Sequence, residues 1–330
     1  MSNRIIAEIG SVHDGSFGNA RKLIEESANA GADVVKFQLH IFNEESLLSA
    51  PNPPYFSDET RKDYFNRIAF TKKQWIDLKK ISEDLGLDFL VSPFSIRAIE
   101  ILEDIGVCEY KVASGEVSNL PLLEALSNTK KPVIISSGMS TWSELDDAIA
   151  IFRKNCEITI LQCSSLYPCP NTNVGLNVIR EMQKRYQLDV GLSDHTLGFS
   201  ASVAAAAIGA TTIEKHVTFS KAMYGSDACH SMEFNDFKLF CSMVRDVWTM
   251  NNCTVDKNNT NLYENTKKIF EKSVVASIDI EKNTIIDQSM MNFKKPADGI
   301  SVSQYKGLIG KKLLVSVKKD HVFSIKDFYE

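Results

Sequence analysis

The feature that most constrains the fold of this chain is a regular alternation of short apolar runs with amphipathic segments from residue 4 to about residue 250. Each apolar run predicts a strand and leads into a predicted helix. The predicted strands are RIIAEIG (4–10), DVVKFQLH (33–40), DFLVSP (88–93), EYKVAS (109–114), PVIISSG (132–138), EITILQCS (157–164), DVGLSD (189–194) and TTIEKHVT (211–218). Near-continuous apolar strands are typical of a parallel sheet that is buried on both faces. Eight such units predict an α/β fold of the (β/α)8 TIM-barrel type, with a doubly wound open sheet as the alternative.

Two stretches interrupt this regularity. Residues 41–70 follow the second strand, carry three prolines and several acids, and far exceed the usual βα loop of about two to six residues, which predicts a lid or an oligomer contact. After residue 250 the sequence turns polar and rich in asparagine, as at a domain boundary. We therefore predict a barrel over 1–255, a linker over 256–270 and a small β-rich domain over 271–330.

Composition excludes several classes of protein. The formal net charge of -5 and the pI near 5.8 argue against a general nucleic-acid binder, which needs a basic face. The first residues lack the basic start and apolar run of a signal peptide, and no run of about eighteen apolar residues predicts a membrane span. Seven cysteines without a CxxC pair suit reduced thiols. We therefore predict a cytoplasmic protein.

Polar and ionisable residues recur where the predicted strands end, which is where barrel enzymes build their active sites. A single residue of this kind is better explained as a capped strand end or a solvated loop residue. The recurrence of such residues at seven of the eight strands predicts an active site instead. The residues, in strand order, are Glu8; Lys36 and Gln38; Lys111, Ser114 and Glu116; Ser136 and Ser137; Ser164, Ser165 and Tyr167; Ser193, Asp194 and His195; Lys215 and His216.

A catalytic metal is one interpretation of the two histidines in this set. His195 and His216 lie one βα unit apart, so they can converge on one ion from adjacent strands about 4.8 Å apart. Two imidazoles leave positions open for water and substrate, as a catalytic divalent ion requires. The alternative is two unrelated histidines that are satisfied by backbone carbonyls. Asp194 would either orient an imidazole or simply end its strand.

Two lysines are embedded in apolar strand sequence, Lys36 in VVKFQ and Lys111 in YKVAS. A buried ammonium is costly without an anionic partner, and a phosphorylated or carboxylated substrate would supply one. Serines 114, 136 and 193 are suitable donors to complete a phosphate or carboxylate site. A Schiff-base lysine, as in class I barrel aldolases, remains an alternative function for either lysine.

The order of several motifs resembles the N-acetylneuraminate (sialic acid) synthases, a family that includes the legionaminic and pseudaminic acid synthases. The motifs are AEIGSVHDGS, GADVVKFQ, SPF, YKVASGE, SSGM, YPCP, GLSDHTLG, GATTIEKHVT and GSD, and together they span nearly the whole chain. The tail from FKKPADGIS through LIGKKL resembles the family's antifreeze-like SAF domain. In the family this domain reaches over the barrel mouth of the partner subunit, so the resemblance implies a domain-swapped homodimer.

The resemblance also implies a role for each matching position. His195 and His216 would bind the catalytic Mn2+ or Mg2+, and His195 would count among the catalytic residues with Glu8 and Glu116, which are candidates for proton handling. The residues implied around phosphoenolpyruvate are Lys36, Lys111, Ser114, Ser136, Ser165 and Ser193. The residues implied near the amino sugar are Gln38, Tyr167, Asp227 and, from the small domain, Lys295.

Three positions depart from the family pattern. HDG at residues 13–15 stands where HNG or HEG is common, a change that affects loop hydrogen bonds. Lys295 precedes Pro296 where relatives present an arginine, and lysine lacks the planar fork of a guanidinium, so Lys294 is an alternative contact for the acyl group. GSDACHSM at 225–232 places His230 away from the position where the family often carries a histidine.

The implied reaction condenses phosphoenolpyruvate with an N-acylated amino sugar to give a 2-keto-3-deoxy sugar acid and phosphate. The metal would polarise the aldehyde of the open-chain sugar, and the lysines and serines would orient the anion. N-acetylmannosamine is the first candidate acceptor, and a 2,4-diacetamido-2,4,6-trideoxyhexose is the second. Less favoured functions are a Schiff-base aldolase and a non-catalytic carbohydrate-binding protein.

Overall fold

A computed structural model describes residues 3–52 and 58–328 of the chain. The chain separates into two compact units, Met1–Cys253 and Thr254–Glu330. No helix within the described residues is long and apolar enough to cross a membrane.

The first unit contains eight parallel strands in sequence order, and β1 also pairs with β8, so the sheet closes on itself. The strands are β1 (Arg4–Gly10), β2 (Val34–Leu39), β3 (Asp88–Pro93), β4 (Tyr110–Val112), β5 (Val133–Ser136), β6 (Ile158–Cys163), β7 (Asp189–Asp194) and β8 (Thr212–Thr218). The short β9 (Met232–Glu233) pairs with the end of β8. The predicted (β/α)8 barrel is confirmed, and the alternative of an open sheet is wrong.

Helices follow the strands, as the amphipathic segments predicted. They are α1 (Phe17–Ala30), α2 (Phe42–Glu45), α3 (Arg61–Ile68), α4 (Lys72–Asp84), α5 (Ile96–Ile105), α6 (Leu120–Asn128), α7 (Trp142–Phe152), α8 (Leu176–Tyr186), α9 (Ser200–Ala207) and α10 (Phe234–Asn252). Local sequence sets several of their ends. Thr141 and Glu144 form a reciprocal capping box at the start of α7, and Gly31 takes the left-handed conformation that ends α1.

The interior of the barrel is layered because side chains alternate along each strand. One cluster of buried apolar residues comes from five strands and consists of Ile6, Val34, Leu90, Ile134 and Leu161. Each of them lies two positions before a residue that lines a cavity at the carboxyl ends of the strands. Those residues are Glu8, Lys36, Ser92, Ser136 and Cys163. The same face of each strand therefore supplies an apolar layer inside the barrel and, two residues further along, a side chain that lines the cavity.

The long segment after β2 contains α2 and α3, and Pro53 and Pro54 lie outside the described residues. The described part is attached to the loop after β1. Tyr64 donates to Ser11 Oγ at 2.8 Å, and Arg67 pairs with Asp14 at 2.7 Å. Its role as a lid or an oligomer contact stays a prediction.

The second unit is small and has its own apolar core, which includes Val274, Leu313 and Phe323. Strands β10 (Ser273–Ala276) and β11 (Met291–Lys294) pair antiparallel, and isolated bridges and short 3-10 turns make up much of the rest. Within residues 256–270, the predicted linker, a 3-10 turn spans Asn261–Tyr263 and helix α11 spans Glu264–Phe270.

Candidate active site

A cavity of about 540 Å3 opens at the carboxyl ends of the barrel strands. All eight strands, or the loops directly after them, contribute to its lining. Twelve of the residues that the sequence analysis assigned to a site lie together here: Glu8, Lys36, Gln38, Lys111, Ser114, Ser136, Ser165, Tyr167, Ser193, His195, His216 and Asp227. The structure therefore gathers side chains that are spread over more than two hundred residues of sequence into one cavity.

Four buried ionisable groups form the floor of this cavity, and we call them the charged cluster: Glu8, Lys36, Lys111 and Glu214. Lys36 Nζ lies 2.8 Å from Glu214 Oε1 and 3.3 Å from Glu8 Oε2. Lys111 Nζ lies 3.6 Å from Glu214 Oε2 and donates to Ser136 Oγ at 2.6 Å. Two lysines thus share mainly one carboxylate, Glu214.

The two lysines differ in how well their charge is compensated. Burial by itself lowers the pKa of Lys36, but the contacts with Glu214 and Glu8 outweigh it and raise the pKa. Burial lowers the pKa of Lys111 to about 8, because Glu214 at the longer distance only partly offsets it. Lys111 is therefore the ammonium that gains most from an additional anion in the cavity.

The two carboxylates of the cluster also differ. Burial raises the pKa of Glu8 to about 7, and Lys36 only partly offsets this effect. Burial also disfavours the charged form of Glu214, but Lys111 and Lys36 outweigh it and lower its pKa. Glu214 is thus the fixed negative charge of the cluster, whereas Glu8 is poised to hold or release a proton near neutral pH. One oxygen of each carboxylate, Oε2, is buried without a hydrogen-bond partner.

The two histidines that the sequence paired are adjacent in space. The ring centroids of His195 and His216 are 5.5 Å apart, and both side chains face the cavity. His195 Nδ1 donates to the carbonyl oxygen of Ser164 at 2.8 Å, which leaves Nε2 as the nitrogen available to a metal. Burial lowers the pKa of His216 to about 3 and keeps the ring neutral, and its Nδ1 is buried without a hydrogen-bond partner.

These observations fit a catalytic divalent ion. A neutral imidazole and an imidazole oriented through its second nitrogen are the donor set that such an ion takes. Among residues 3–52 and 58–328, no group of three or more histidine, cysteine, aspartate or glutamate side chains forms a more complete metal site. Substrate and water would therefore have to supply the remaining ligands.

A chain of hydrogen bonds leads from the charged cluster towards the loop after β2. Gln38 Nε2 donates to Glu8 Oε1 at 2.7 Å, and Gln38 Oε1 lies 3.2 Å from His40 Nε2. His40 Nδ1 lies 2.8 Å from Glu45 Oε1, and the imidazole is stacked between the rings of Phe65 and Phe94. With its oxygen facing His40, the Gln38 amide presents its nitrogen to Glu8.

Asp227 is fixed on the opposite side of β1. Its Oδ2 accepts from the backbone nitrogen of Ser11 at 3.0 Å and from Ser11 Oγ at 2.8 Å, and Ser226 Oγ donates to Oδ1 at 3.0 Å. Burial disfavours the charged form of Asp227, but the hydrogen bonds from Ser11 and Ser226 help to hold its pKa below its usual value. Gly10 provides the space for this arrangement, because a Cβ there would lie 2.6 Å from Asp227 Oδ2.

Two predicted site residues lie elsewhere. Glu116 ends the 3-10 turn Ser114–Glu116, where it accepts a hydrogen bond from Asn119 at 2.7 Å, and burial raises its pKa. It is not among the residues that line the cavity. Lys295 belongs to the second unit, where its ammonium lies 5.0 Å from the ring centroid of Phe270.

Asp194 and Lys215, which the sequence analysis grouped with the site residues, form a separate ion pair. Asp194 Oδ2 lies 3.1 Å from Lys215 Nζ and accepts from Ser202 Oγ of α9 at 2.6 Å, and Oδ1 accepts from the backbone nitrogen of Thr196 at 2.8 Å. Their neighbours Ser193, His195, Glu214 and His216 face the cavity, so period-two alternation turns Asp194 and Lys215 towards the surrounding helices.

Sequence reasoning missed several cavity residues, and two groups of them bear on the charges and the walls of the site. Glu214 is the central acid of the charged cluster, and the signal for it was available because Glu214 and His216 must share one face of a strand. Arg61, Tyr64 and Phe65 of α3 also line the cavity. No periodicity or spacing in the long segment after β2 indicated that its residues reach the site.

Comparisons with known proteins agree with the fold. A model of the NeuB family matches residues 23–256, and a model of the SAF domain matches residues 271–328. An N,N'-diacetyllegionaminic acid synthase of Campylobacter jejuni is 35% identical, with 96% of this chain and 98% of the relative covered. The N-acetylneuraminate-9-phosphate synthase of Homo sapiens is 33% identical, with 96% and 90% covered.

Solved structures support the same assignment. An N-acetylneuraminic acid (sialic acid) synthetase from Leptospira borgpetersenii superposes with a TM-score of 0.70 at 29% sequence identity. The match covers 81% of this chain and 91% of that one.

Proposed function

Because this chain belongs to the NeuB family, we propose that it is a nonulosonic (sialic) acid synthase that condenses phosphoenolpyruvate with an open-chain N-acylated amino sugar. The products would be a 2-keto-3-deoxy sugar acid and phosphate. The observation that carries this proposal is the charged cluster, in which two buried lysines share mainly one carboxylate at the floor of a cavity. A small substrate with both a phosphate and a carboxylate supplies the missing negative charge.

Phosphoenolpyruvate would bind on the β4 to β7 side of the cavity. Lys111 and Lys36 would provide the cations. Ser136 Oγ accepts a hydrogen bond from Lys111, so its own O–H would donate a hydrogen bond to the substrate. Ser114, Ser165 and Ser193 line the same region. Fixed donors of this kind act by orientation and by electrostatic preorganisation, which is how a protein contributes to a reaction of two bound substrates.

We propose that His195 and His216 hold a divalent ion, Mn2+ or Mg2+. The partnerless Nδ1 of His216 and the Nδ1–H of His195 on the Ser164 carbonyl support this assignment. When bound, the ion would supply Lewis-acid polarisation of the sugar aldehyde. Gln38, Tyr167 and Asp227 line the adjacent wall and would orient the sugar through its hydroxyl and acylamido groups.

The proposed reaction forms one carbon-carbon bond and breaks one carbon-oxygen bond. C3 of phosphoenolpyruvate attacks C1 of the sugar, the carbonyl oxygen of the sugar takes up a proton, and water adds to C2 of the former phosphoenolpyruvate. The tetrahedral intermediate then loses phosphate with cleavage of the C2–O bond. Glu8 is the residue best placed to move these protons, because its carboxyl group faces the cavity and its pKa lies near 7. Glu116 is the second candidate for this role.

The test is release of phosphate from phosphoenolpyruvate by EDTA-treated protein, with and without added Mn2+. It is run with N-acetylmannosamine and, separately, with 2,4-diacetamido-2,4,6-trideoxyhexoses, because the named relatives include synthases of both sialic-acid and diacetylated products. We expect metal-dependent release with one acceptor, and loss of more than about 10³-fold in His195→Ala. His230→Ala is the matched control, since His230 is half-buried and does not line the cavity.

A second candidate function is a Schiff-base aldolase, which the lowered pKa of Lys111 favours because a neutral amine is the nucleophile. Borohydride reduction in the presence of pyruvate distinguishes the two reactions. Covalent trapping on Lys111 with no effect of EDTA would establish the aldolase. If ¹⁸O placed in the bridging position of phosphoenolpyruvate leaves with phosphate, the synthase is established instead.

The assembly and location of the protein are part of the same proposal. The SAF domain match supports a homodimer in which this domain of one subunit approaches the barrel mouth of its partner. Lys295, as the replacement for the family arginine, would then contact the acyl group of the partner's sugar. Light scattering on the full chain tests the dimer. We place the reaction in the cytoplasm, where phosphoenolpyruvate is made.

A further inference from the structure

Arg61 is a cavity residue that has no hydrogen-bond or ion-pair partner within residues 3–52 and 58–328. It begins α3, its side chain lines the cavity, and its Nε is buried without a hydrogen-bond acceptor. Among the described residues, no ion pair or hydrogen bond involves its guanidinium. A guanidinium stays charged and carries five N–H donors, so a partly buried one that lacks acceptors is a costly arrangement unless a ligand supplies them.

The contacts of α3 show which part of the cavity Arg61 faces. Tyr64, one turn after Arg61, contacts Ser11 and Ser226 in the loops after β1 and β8, at 2.8 and 3.1 Å. Phe65 stacks on His40 in the loop after β2. In a closed eight-stranded barrel, β1, β2 and β8 lie opposite β4, β5 and β6. Arg61 is therefore on the side of Gln38 and Asp227, across the cavity from the serines proposed to bind phosphoenolpyruvate.

The surroundings of Arg61 indicate the chemistry of its ligand. The lysines of the cavity lie at its floor, where they contact Glu214 and Glu8, whereas Arg61 lines the cavity from α3. Phosphate sites in proteins usually combine several donors or cations, whereas one guanidinium suffices for a carbonyl oxygen. The aromatic rings of Phe65 and Phe94 line the same wall and offer apolar surface for a methyl group. A carbonyl oxygen beside a methyl group is an acetamido substituent.

We propose that Arg61 forms a distal subsite that binds the carbonyl oxygen of an acylamido group on the acceptor sugar, remote from the reacting aldehyde. This inference rests on the proposed synthase function and sharpens it. The subsite favours an acceptor that carries a second acylamido group over one that carries a single group near the aldehyde. Arg61 would then determine specificity without contacting the reacting atoms.

The experiment compares Arg61→Ala and Arg61→Lys with the wild type in steady-state phosphate release, using a 2,4-diacetamido-2,4,6-trideoxyhexose, N-acetylmannosamine and N-acetylmannosamine 6-phosphate. Lys62→Ala is the matched control, because it removes a positive charge from an exposed position of the same helix turn. For the diacetamido sugar, we expect Arg61→Ala to raise KM about 10- to 100-fold, the value of a hydrogen bond to a charged donor. Arg61→Lys should recover part of this loss, and KM for phosphoenolpyruvate and kcat should change less than about threefold.

Each other outcome has a definite meaning. Equal KM values in the wild type and Arg61→Ala with every active acceptor would overturn the subsite and leave the synthase intact. A wild type that prefers the phosphorylated sugar, with a KM that rises only for that sugar in Arg61→Ala, would show that the subsite binds phosphate and not a carbonyl. A wild type that releases no phosphate with any sugar would overturn the synthase proposal and this inference with it.

Discussion

Two sets of buried charges meet at strand β8 and differ in the face of that strand on which they lie. Glu214 faces the cavity, where it pairs with Lys36 and Lys111. Lys215, the next residue, faces the helices, where it pairs with Asp194. The side chains are almost equally inaccessible, at 4% exposure for Glu214 and 2% for Lys215. Burial of charge alone therefore does not distinguish a site from a structural ion pair.

The distinction lies in how completely the protein itself satisfies each charge. On the outer face, Asp194 accepts from Lys215, Ser202 and the backbone of Thr196, and Lys215 also donates to the Thr196 carbonyl. On the inner face, Glu214 Oε2 and Glu8 Oε2 lack hydrogen-bond partners. A buried charged group next to a cavity that lacks some of its hydrogen-bond partners indicates a site for a ligand. A buried charged group whose hydrogen bonds are all made within the protein indicates a structural role.

Removal of the least compensated inner charge should have the largest effect. We expect Lys111→Met to lower kcat/KM for phosphoenolpyruvate by about 10⁴-fold, or about 5.5 kcal/mol, because an anion-orienting cation is lost from a buried site. The midpoint of urea denaturation should stay the same or rise. Burial lowers the pKa of Lys111 to about 8, so its charge is poorly compensated in the ligand-free protein, and Glu214 keeps Lys36 as its partner.

Ligand-induced stabilisation provides the second measurement for this variant. Phosphoenolpyruvate at about a hundred times its Kd should stabilise the wild type by about 2.7 kcal/mol, and this increment should vanish in Lys111→Met. Lys131→Met is the control, since Lys131 pairs with Glu103 away from the cavity. A large drop in stability of the ligand-free variant would show that Lys111 has a structural role like that of Lys215, and the inner and outer charges would then not differ in function.

Removal of the outer cation should lower stability and leave activity nearly unchanged, and the effect should be smaller than that of Lys111→Met on activity. We expect Lys215→Met to lower the free energy of unfolding by about 3–5 kcal/mol, because Asp194 is left buried without its cation. The double variant Asp194→Asn with Lys215→Met should recover much of this loss. Activity per folded molecule, measured well below the melting temperature, should stay within about threefold of the wild type. Inactive protein of wild-type stability would instead assign this pair to the site.

The same alternation explains what the sequence could and could not predict. All eight strands were found because their apolar runs are bounded by polar turns, and β1, β3 and β7 keep their predicted limits. Twelve of the predicted site residues lie in one cavity because strand ends converge in a barrel. The sequence analysis did not separate Glu214 from Lys215, although period-two alternation from His216 places Glu214, and not Lys215, on the inward face.

Loops set the other limit of sequence reasoning. Arg61 reaches the cavity from a helix inside the long segment after β2, and its position depends on tertiary contacts such as that of Tyr64 with Ser11. Glu116 was assigned to the site because it follows β4, but a 3-10 turn begins at Ser114 and leaves Glu116 outside the cavity lining. The positions of Arg61 and Glu116 therefore depend on loop conformation, which the pattern of strand ends does not predict.

A His40 variant tests whether a residue with all of its hydrogen bonds made within the protein can still contribute to the function of the site. It lines the cavity like the inner charges, yet both of its ring nitrogens have partners, as in the outer pair. We expect His40→Phe to preserve stacking between Phe65 and Phe94 but to release the Gln38 amide, which then no longer presents its nitrogen to Glu8. The expected result is a loss of about tenfold, or about 1.4 kcal/mol, in kcat/KM for the sugar, with KM for phosphoenolpyruvate unchanged.

A stability effect must be separated from this positioning effect, because His40→Phe also leaves the buried carboxylate of Glu45 without its partner. That loss should destabilise the single variant by about 1–3 kcal/mol. The double variant His40→Phe with Glu45→Leu removes both partners and should regain stability, but it should not regain activity, since Gln38 is still free to rotate. If activity returns together with stability, the histidine only supports the fold. If the kinetic defect persists in the stable double variant, His40 acts on the site through Gln38. A residue with all of its hydrogen bonds made within the protein can then be functional, because one of those bonds orients a residue that contacts the substrate.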